Sequence, residues 1–357
     1  MFELDLFPAR DGDALVLQWG DPAEPKRMMI DCGRESGWPQ VRKEFGGSAE
    51  NRTLFELLVV THIDADHIAG VLKMLADPQR PIAFREIWFN AYHHLVEGEW
   101  ETFGPAQGDR LSDLLVSAEG AWNTSFGGAA VVVENDGPLP SLEREGLRLT
   151  LLSPTRLKLT DLEREWKRWL RSEGLERTKS IPERPDAARP VPAGYEAFGG
   201  VPEVEALAGT PDGEDTSAAN GSSIAFIAEF GGKRILMAGD AHASVLSDAL
   251  ERLPSEKRRF DLFKLPHHGS KNNIDRRLFD LVDCNRYAVS TDGSRHGHPD
   301  QELIAKLIHW SESDIRLYFN YRTEETAIWD DPALCLEHDY RCVYPADGEA
   351  GRLKIEI

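Results

Sequence analysis

Short apolar runs separated by polar turns open the chain. Residues 2–7 and 14–19 are mostly apolar, and a polar turn at residues 10–13 separates them. Residues 27–31 form a third run of the same kind after a turn that contains proline. Runs of this length bounded by turn residues are typical of β-strands, so we expect three strands joined by tight turns.

The next apolar run leads into a helical pattern. Residues 54–60 are apolar except for Glu56, which predicts a buried strand. From Ile68 onward the apolar residues fall at helical spacing. A polar turn lies between the predicted strand and the predicted helix, and α/β folds usually bind their ligands at such turns.

The last third of the chain repeats the succession of strands and helices. Two glycines at residues 231–232 predict a hairpin turn, and Pro299 predicts the start of a helix. The expected strands cover residues 223–230, 233–238, 260–265, 286–290 and 353–357, and the expected helices cover 243–253 and 300–310. Each half of the chain thus runs from strands to a helix, which predicts an α/β fold.

The middle of the chain is less regular. Residues 34–53 are polar and rich in glycine, and we expect a loop there that lies over the polar turn between the predicted strand and helix. A helix is expected around residues 111–115, and strands over 129–133 and 147–152. Residues 155–220 differ in composition, and we expect a helix followed by a poorly ordered insertion or lid.

The helix expected at the start of this insertion has two interpretations. Trp166 and Trp169 alternate with basic residues along it. An amphipathic helix would pack the tryptophans inward against the rest of the protein. Alternatively, the aromatic rings would stack on nucleic-acid bases while the basic side chains contact phosphates.

The composition fits one large domain. The 357 residues are 41% hydrophobic and 29% charged, which is enough for a sizeable core. We therefore expect a single domain over residues 1–357 that carries the insertion. The formal net charge of −20 counts against a broad surface for nucleic acid or anionic membranes, although it is compatible with a local basic groove.

Targeting and redox signals are weak. Residues 1–20 carry several charges and no long apolar stretch, so we expect no signal peptide. No apolar run reaches the roughly 20 residues that span a bilayer, so no membrane partner is expected. The four cysteines include no C-x-x-C pair, and a reduced, cytoplasmic protein is expected.

The polar turn after the predicted buried strand carries the candidate chemistry. Two histidines, His62 and His67, and two aspartates, Asp64 and Asp66, lie within six positions. Carboxylate oxygens and imidazole nitrogens together suit Zn²⁺, Mn²⁺ or Fe. A single aspartate could simply cap the following helix, but four potential ligands at alternating spacing favour a metal site.

A second histidine pair, His93 and His94, follows another predicted strand. We interpret these two residues as structural histidines at the surface or in the core. The alternative is that they contact the substrate at the rim of the site.

The turn at residues 62–67 resembles the first metal motif of the metallo-β-lactamase superfamily, His-x-His-x-Asp-His. Asp64 replaces the second histidine, and this variant is similar to the hydrolase domain of the ComEC/Rec2 DNA-uptake proteins and their stand-alone relatives. Further matches keep the family's order along the chain, with a gap over residues 91–219. They are Gly12-Asp13-Ala14, Ile30-Asp31-Cys32-Gly33, Asn220-Gly221-Ser222-Ser223, Ala238-Gly239-Asp240, Pro266-His267-His268-Gly269-Ser270 and Gly297-His298-Pro299.

The resemblance implies a four-layer αββα sandwich with a metal site. His268 is implied either as a metal ligand or as a group that stabilises the transition state, and His298 either as a ligand or as a general acid. Asp13 and Asp31 are expected to be turn residues or partners of ligating imidazoles. The implied ligands of one or two Zn²⁺ or Mn²⁺ ions are His62, Asp64, Asp66, His67, the bridging carboxylate Asp240, and His267.

One histidine of the superfamily pattern is missing. Asn220 or Ser222 stands near the place where a histidine is expected before Asp240. Together with Asp64, this makes the site richer in oxygen, which would weaken one metal position or favour Mn²⁺ over Zn²⁺. The missing ligand also argues against β-lactamase activity.

The first functional hypothesis is a metal-dependent phosphodiesterase, and more specifically a nuclease. In that mechanism a metal ion lowers the pKa of a bound water. Asp66 or Asp64 would orient this water and accept its proton, and His268 would stabilise the developing oxyanion. His298 would protonate the leaving group.

Two alternatives stay open. The substrate could be a small phosphodiester or a phosphocholine-like group instead of a nucleic acid. The chain could also be a non-catalytic component of a multi-protein system, such as a defence system, with residues 155–220 as its docking surface. The retained histidines and aspartates argue against the second alternative, because a binding module does not need them.

Overall fold

The computed structural model describes residues 1–46, 50–95, 106–117, 121–172, 202–311, 314–346 and 351–357. Its strands are β1 (Phe2–Leu6), β2 (Leu15–Trp19), β3 (Lys26–Ile30), β4 (Thr53–Phe55), β5 (Leu57–Val59), β6 (Ile82–Phe84), β7 (Glu86–Trp88), β8 (Ala121–Trp122), β9 (Ser141–Arg144), β10 (Leu147–Ser153), β11 (Ala225–Phe230), β12 (Lys233–Met237), β13 (Leu262–Lys264), β14 (Arg286–Val289), β15 (Ile315–Phe319), β16 (Tyr340–Val343) and β17 (Leu353–Glu356).

Helices connect and cover these strands, and short 3₁₀ helices add further turns. The α-helices are α1 (Gly37–Glu44), α2 (Ala65–Leu75), α3 (Tyr92–Leu95), α4 (Ala106–Ser117), α5 (Arg156–Ser172), α6 (Val204–Ala208), α7 (Ala218–Gly221), α8 (Ala243–Glu251), α9 (Arg276–Leu281), α10 (Gln301–Trp310), α11 (Glu324–Ala327) and α12 (Pro332–Glu337). Within the described ranges, none of these helices is long and apolar enough to cross a membrane.

Two large mixed sheets form the centre of the molecule. The seven-stranded sheet has the order β17-β1-β2-β3-β5-β7-β8, and the eight-stranded sheet has the order β16-β15-β14-β13-β12-β11-β10-β9. The first sheet is antiparallel from β17 to β3 and parallel from β3 to β8. The second is antiparallel from β9 to β12 and parallel from β12 to β16.

Alternating side chains of the first sheet enter two different cores. Leu15 and Leu17 of β2 belong to the core shared with the second sheet, whereas Val16 belongs to a core shared with α1, α2 and α4. The second sheet is covered by α8 and α10, whose apolar residues such as Leu246 and Leu307 join the first core. Because a sheet with two apolar faces must be covered on both, this arrangement gives helix, sheet, sheet and helix layers. The predicted αββα sandwich is confirmed.

The apolar run over residues 54–60 does not form one strand. It divides into β4, which pairs with β6 in a separate two-stranded sheet, and β5, which lies inside the seven-stranded sheet. The break falls at Glu56, whose buried carboxylate lies 2.7 Å from the Arg85 guanidinium and 3.9 Å from the Lys26 ammonium. A buried carboxylate needs charged partners of this kind. Glu56 meets them at its position between β4 and β5, and the two short strands are therefore separate.

Two other sequence predictions were wrong. Residues 34–53 do not form only a loop, because α1 lies within them and buries Trp38 and Val41. Residues 129–133 contain no strand, and Val133 makes only an isolated bridge to Thr155. In both places local composition was a poor guide, because burial against distant elements decides the conformation.

The described part of the insertion packs against the body of the protein. In α5, Trp166 is 1% exposed and contacts Tyr92 with ring centroids 5.4 Å apart. The inward-packing interpretation is therefore confirmed for Trp166. Basic residues on the helix surface pair with acids on the same helix, as Lys167 does with Glu163.

The rest of the insertion is described only in part. The side chain of Trp169 and residues 173–201 lie outside the described residues. From residue 202 the chain packs on α10 through α6, and the ammonium of Lys306 lies 2.6 Å from the carboxylate of Asp212. The segment just before β11 is therefore anchored, which its composition did not indicate.

Helix α2 packs closely on the loop that follows β3. A methyl group at Gly70 would overlap the backbone carbonyl oxygens of Cys32 and Arg34. Since backbone atoms cannot move aside cheaply, we expect Gly70→Ala to lower the free energy of unfolding by about 1–3 kcal/mol. Lys73→Ala on the exposed side of the same helix serves as the control in denaturant unfolding, and equal stabilities of the two variants would contradict the prediction.

Half-buried His94 gives the fold a dependence on pH. Burial and the neighbouring His93 lower the pKa of His94 to about 3, while an imidazole in an unfolded chain titrates near 6.5. The unfolded state therefore takes up a proton first, and stability falls as the pH drops below about 6.5. We expect His94→Gln to remove part of this loss, at most about 1.4 kcal/mol per pH unit. Urea unfolding of both proteins at several pH values tests this, and parallel pH dependences would refute it.

Candidate metal centre

The histidines and aspartates singled out from the sequence come from both sheets. His62 lies just after β5, and Asp66 and His67 lie in the first turn of α2. Asp240 follows β12, and His267 and His268 lie in a short 3₁₀ helix after β13. Strand β5 runs parallel to β3 and β7, and β12 runs parallel to β13, so the carboxyl ends of β5, β12 and β13 open at one edge of the sandwich. A hydrogen bond from the Ile224 amide to the Thr61 carbonyl, 2.9 Å long, joins the two sheets at this edge.

Four imidazoles surround one buried carboxylate. The Oδ2 atom of Asp240, a residue 2% exposed, faces the Nε2 atoms of all four rings. The distances are 3.3 Å to His67, 3.8 Å to His62, 3.8 Å to His268 and 3.9 Å to His267. All four rings thus present the same nitrogen to a common centre.

Two groups of three residues could each hold a cation. One group is His62, His67 and Asp240, and the other is Asp66, His67 and His268. The potential ligand atoms within each group lie within 4.8 Å of one another. The two groups share His67, so they describe one continuous centre rather than two separate sites.

Unpartnered buried atoms test whether a cation fits this centre. The Nε2 of His62 and the Oδ1 of Asp240 are buried and make no hydrogen bond. Buried polar atoms are almost always hydrogen-bonded, so such atoms need another partner. Imidazole nitrogen and carboxylate oxygen are both ligands of Zn²⁺, Mn²⁺ and Fe, and the donor set therefore fits a cation of this class.

In three of the four rings, the Nδ1 atom contacts a polar group on the side away from Asp240. His67 Nδ1 lies 2.8 Å from Asp31 Oδ2, and His268 Nδ1 lies 3.0 Å from the Ser290 carbonyl oxygen. His62 Nδ1 lies 3.0 Å from the Thr61 hydroxyl, which is also 2.6 Å from Asp31. A hydrogen on Nδ1 bonded to an acceptor leaves the Nε2 lone pair free toward the centre, as in metal-binding histidines.

The charges of the centre reinforce one another. Burial alone would raise the pKa of Asp66, but His268 and His67 hold that pKa well below its usual range. Burial would lower the pKa of His268, yet Asp240 and Asp13 raise it to about 10. Excess carboxylate charge thus draws positive charge into the centre, where protons and metal ions compete for the same atoms.

Asp13 lies behind the centre and not in it. Its Oδ1 is 3.5 Å from His268 Nδ1, and its Oδ2 accepts a 2.9 Å hydrogen bond from the ammonium of Lys264. Lys264 is fully buried. Burial would raise the pKa of Asp13, but Lys264 and His268 keep it well below normal. Asp13 and Asp31 therefore lie where the resemblance implies partners of ligating imidazoles.

Two predicted site residues lie at the edge of the centre and belong to neither group of three. The carboxylate of Asp64 is 44% exposed and lies 3.5 Å from His62 Nε2. The ring of His298 is edge-on to His267, with centroids 5.3 Å apart, and its Nδ1 lies 3.5 Å from Asp300. Both residues are therefore next to the cluster.

Asn220 and Ser222, which stand near the expected place of the missing histidine, make hydrogen bonds to other groups. Asn220 donates its amide to Asp215 over 2.7 Å, and the Ser222 hydroxyl donates to the Ala219 carbonyl over 2.6 Å. Neither hydrogen bond is directed at Asp240. The ring of His267 faces Asp240 from this side instead.

Several residues of the site were missed in the sequence. Asp215 lies in the stretch expected to be poorly ordered, yet its carboxylate accepts hydrogen bonds from Asn220 and from Asn273. Lys264 could have been noticed, because it is a charged residue within an apolar strand.

His93 and His94 are not part of the cluster, and both rings contact Trp122 edge-on. Their structural interpretation agrees with this packing.

Comparisons with known proteins give structural likeness only. No family model matches the chain, and no curated protein matches it. Zn²⁺-bound PqqB from Methylobacterium extorquens matches with 14% identity over 100% of both chains and a TM-score of 0.44. CmlA, a diiron β-hydroxylase from Streptomyces venezuelae, matches with 11% identity over 100% of this chain and 54% of its own, with a TM-score of 0.39. The metallo-β-lactamase fold protein YhfI from Bacillus subtilis matches with 9% identity over 99% of both chains and a TM-score of 0.37.

The contact between Asp31 and His67 generates a test of the centre. Asp31→Asn keeps the size of the side chain and tolerates the left-handed backbone at this position, where φ is 54°. It turns an amide donor toward Thr61 and His67, so we expect the affinity for Zn²⁺ to fall about 10–100-fold. Competition with a chromophoric chelator measures this, with the exposed Asp21→Asn as control. An unchanged affinity would show that Asp31 does not orient a ligand.

Proposed function

We propose that this protein is a metal-dependent hydrolase that uses a metal-activated water to cleave a phosphodiester. The observation that carries the proposal is the convergence of four Nε2 atoms on Asp240, together with the unpartnered His62 Nε2 and Asp240 Oδ1. A structural cluster of histidines would not need these atoms to remain without hydrogen bonds.

The ligands of one or two cations follow from the two groups of three. His62, His67 and Asp240 would hold one ion, and Asp66 with His268 would hold a second position beside His67. His267 faces Asp240 and completes the set on the side of the missing histidine. Bound Zn²⁺ or Mn²⁺ lowers the pKa of a coordinated water toward neutrality and stabilises charge on a phosphoryl oxygen.

Two side chains at the edge of the centre, Asp64 and His298, are candidates for proton transfer. Asp64 combines a half-exposed carboxylate with a position 3.5 Å from His62, so it can orient a water and accept its proton. Asp66, in contrast, points to His268 at 3.4 Å and serves the ligand cluster. His298, whose Nδ1 lies 3.5 Å from Asp300, would protonate the leaving group. His268 is 1% exposed, which favours its role as a ligand over direct contact with substrate.

The resemblance to the ComEC/Rec2-type hydrolase supports a nuclease, because its motifs occur in order along this chain. The net charge of −20 weighs against extended contacts with a polyanion. Trp166 is buried, so one of the two rings that would stack on nucleic-acid bases is not accessible to them. These two observations favour the second candidate substrate, a small phosphodiester or phosphocholine-like molecule.

Metal content and turnover test the hydrolase directly. We expect protein purified without added metal to contain Zn²⁺ or Mn²⁺ by mass spectrometry and to hydrolyse bis-p-nitrophenyl phosphate. His67→Ala and Asp240→Ala each remove a central ligand, so activity should fall by at least about 100-fold. His309→Ala, on the exposed side of α10, is the matched control and should retain activity.

The same preparations separate the remaining alternatives. Linear and circular DNA and RNA compared with small diesters distinguish a nuclease from an enzyme of small substrates. Bound metal without turnover on any of these substrates would reject phosphodiester cleavage. Absence of both metal and turnover, with an intact fold, would favour the non-catalytic component of a multi-protein system.

A further inference from the structure

We infer that Asn273 is a positioning residue that fixes which nitrogen of His267 carries the hydrogen, so that Nε2 offers its lone pair to the metal centre. Asn273 lies six residues after His267 and is fully buried. The inference rests on the proposed function, because it concerns a proposed ligand, but its central claim is testable without metal.

The surroundings of Asn273 permit one orientation of its amide. Its Nδ2 lies 2.8 Å from the Asp215 carboxylate, 3.3 Å from the Asp240 carbonyl and 3.4 Å from the Ala241 carbonyl. All three neighbours only accept hydrogen bonds. Turning the amide over would place its own oxygen against three acceptors, so the NH₂ group must face them.

The orientation of this amide determines which Asn273 atom faces the His267 ring. Asn273 Oδ1 lies 3.1 Å from His267 Nδ1, and an amide oxygen can only accept. His267 Nδ1 must therefore carry the hydrogen. A neutral imidazole has a single N–H, so its Nε2 keeps a lone pair. That atom faces Asp240 Oδ2 at 3.9 Å.

A competing contact is weaker. Asn220 Nδ2 lies 3.4 Å from His267 Nδ1 and would donate to it in the opposite tautomer. The same Nδ2 already donates to Asp215 over 2.7 Å. Asp215 Oδ2 is also 3.5 Å from His267 Nδ1, which adds a second acceptor behind the ring. The shorter contact to Asn273 and the nearby carboxylate thus favour hydrogen on Nδ1.

The ring of His267 depends on side-chain contacts for its orientation, because its backbone conformation is unfavourable and the ring is partly exposed. Its φ of 45° lies in the left-handed region, which residues other than glycine rarely adopt. The ring is 25% exposed, unlike the other three rings around Asp240. Without Asn273, the negative charge of Asp240 would attract the hydrogen to Nε2 and block the lone pair.

The test compares two neighbouring asparagines. In protein labelled with ¹⁵N-histidine, NMR distinguishes the two tautomers, and His267→Gln assigns the signal. Spectra are recorded without metal, at a pH high enough that the His267 ring is neutral, and with Zn²⁺. We expect hydrogen on Nδ1 in the unmodified protein and a shift toward Nε2 in Asn273→Ala. The exposed Asn272→Ala should leave the tautomer unchanged.

Zn²⁺ affinity, measured by competition with a chelator, gives the second readout. Asn273→Ala should weaken binding about 10–100-fold, the usual effect of removing a partner of a metal-binding histidine. In the His267→Gln background, the same substitution should cause no further loss, because its effect acts through that ring. Asp215→Asn should have a smaller effect, since two carbonyls still orient Asn273.

The outcomes separate this inference from the proposed function. An unchanged tautomer in Asn273→Ala, or an equal loss of affinity in the His267→Gln background, would overturn the role of Asn273. Absence of both Zn²⁺ and Mn²⁺ binding by the unmodified protein would instead refute the metal centre, while the metal-free spectra would still decide the tautomer. If Asn273→Ala does not fold, Asn273→Ser replaces it, because serine keeps a donor but lacks the carbonyl that faces His267.

Discussion

A buried carboxylate surrounded by imidazoles is the constraint on which this structure depends. Asp240 is 2% exposed and lies between the two sheets where their strands end. A buried anion without compensation costs several kcal/mol, so its neighbours must supply positive charge or hydrogen-bond donors. The four rings that face it come from the end of β5, from α2 and from the turn after β13. Both sheets must therefore keep their relative position for Asp240 to remain neutralised.

Backbone conformations near the centre follow from this convergence. Asp31, His267 and His268 all have positive φ, at 54°, 45° and 53°. Such conformations cost of order 1–3 kcal/mol each and persist only where the surrounding structure determines them. Side-chain contacts hold two of these residues in place. The Asp31 carboxylate contacts His67 Nδ1, and His268 Nδ1 contacts the Ser290 carbonyl. At these two positions the contacts of the centre hold the unfavourable backbone conformations in place.

Local signals predicted an α/β fold and one turn with potential ligands, whereas the family resemblance implied the four layers and the remaining residues of the central cluster. Apolar periodicity located β1 to β3, α8 and α10, and the spacing from His62 to His67 indicated ligands on one turn. The division of the strand at Glu56 was not predicted, because it depends on Arg85 in the bend between β6 and β7. Asp215 and Asn273 were missed for a related reason, because the contact between them joins side chains 58 residues apart in the sequence. Tertiary contacts of polar side chains leave no periodic signal in a single sequence.

The close approach of two imidazoles argues that the centre takes up a cation rather than protons. His67 Nε2 and His268 Nε2 lie 3.2 Å apart. Two imidazolium rings cannot both carry a hydrogen on these nitrogens, since the hydrogens would point at each other. At most one proton can therefore lie between them, although Asp240, Asp66, Asp31 and Asp13 all face these rings. Lys264 supplies one buried positive charge, and it pairs with Asp13 behind His268. Divalent cations bound by the two lone pairs would balance the remaining carboxylates, which protons at this spacing cannot do.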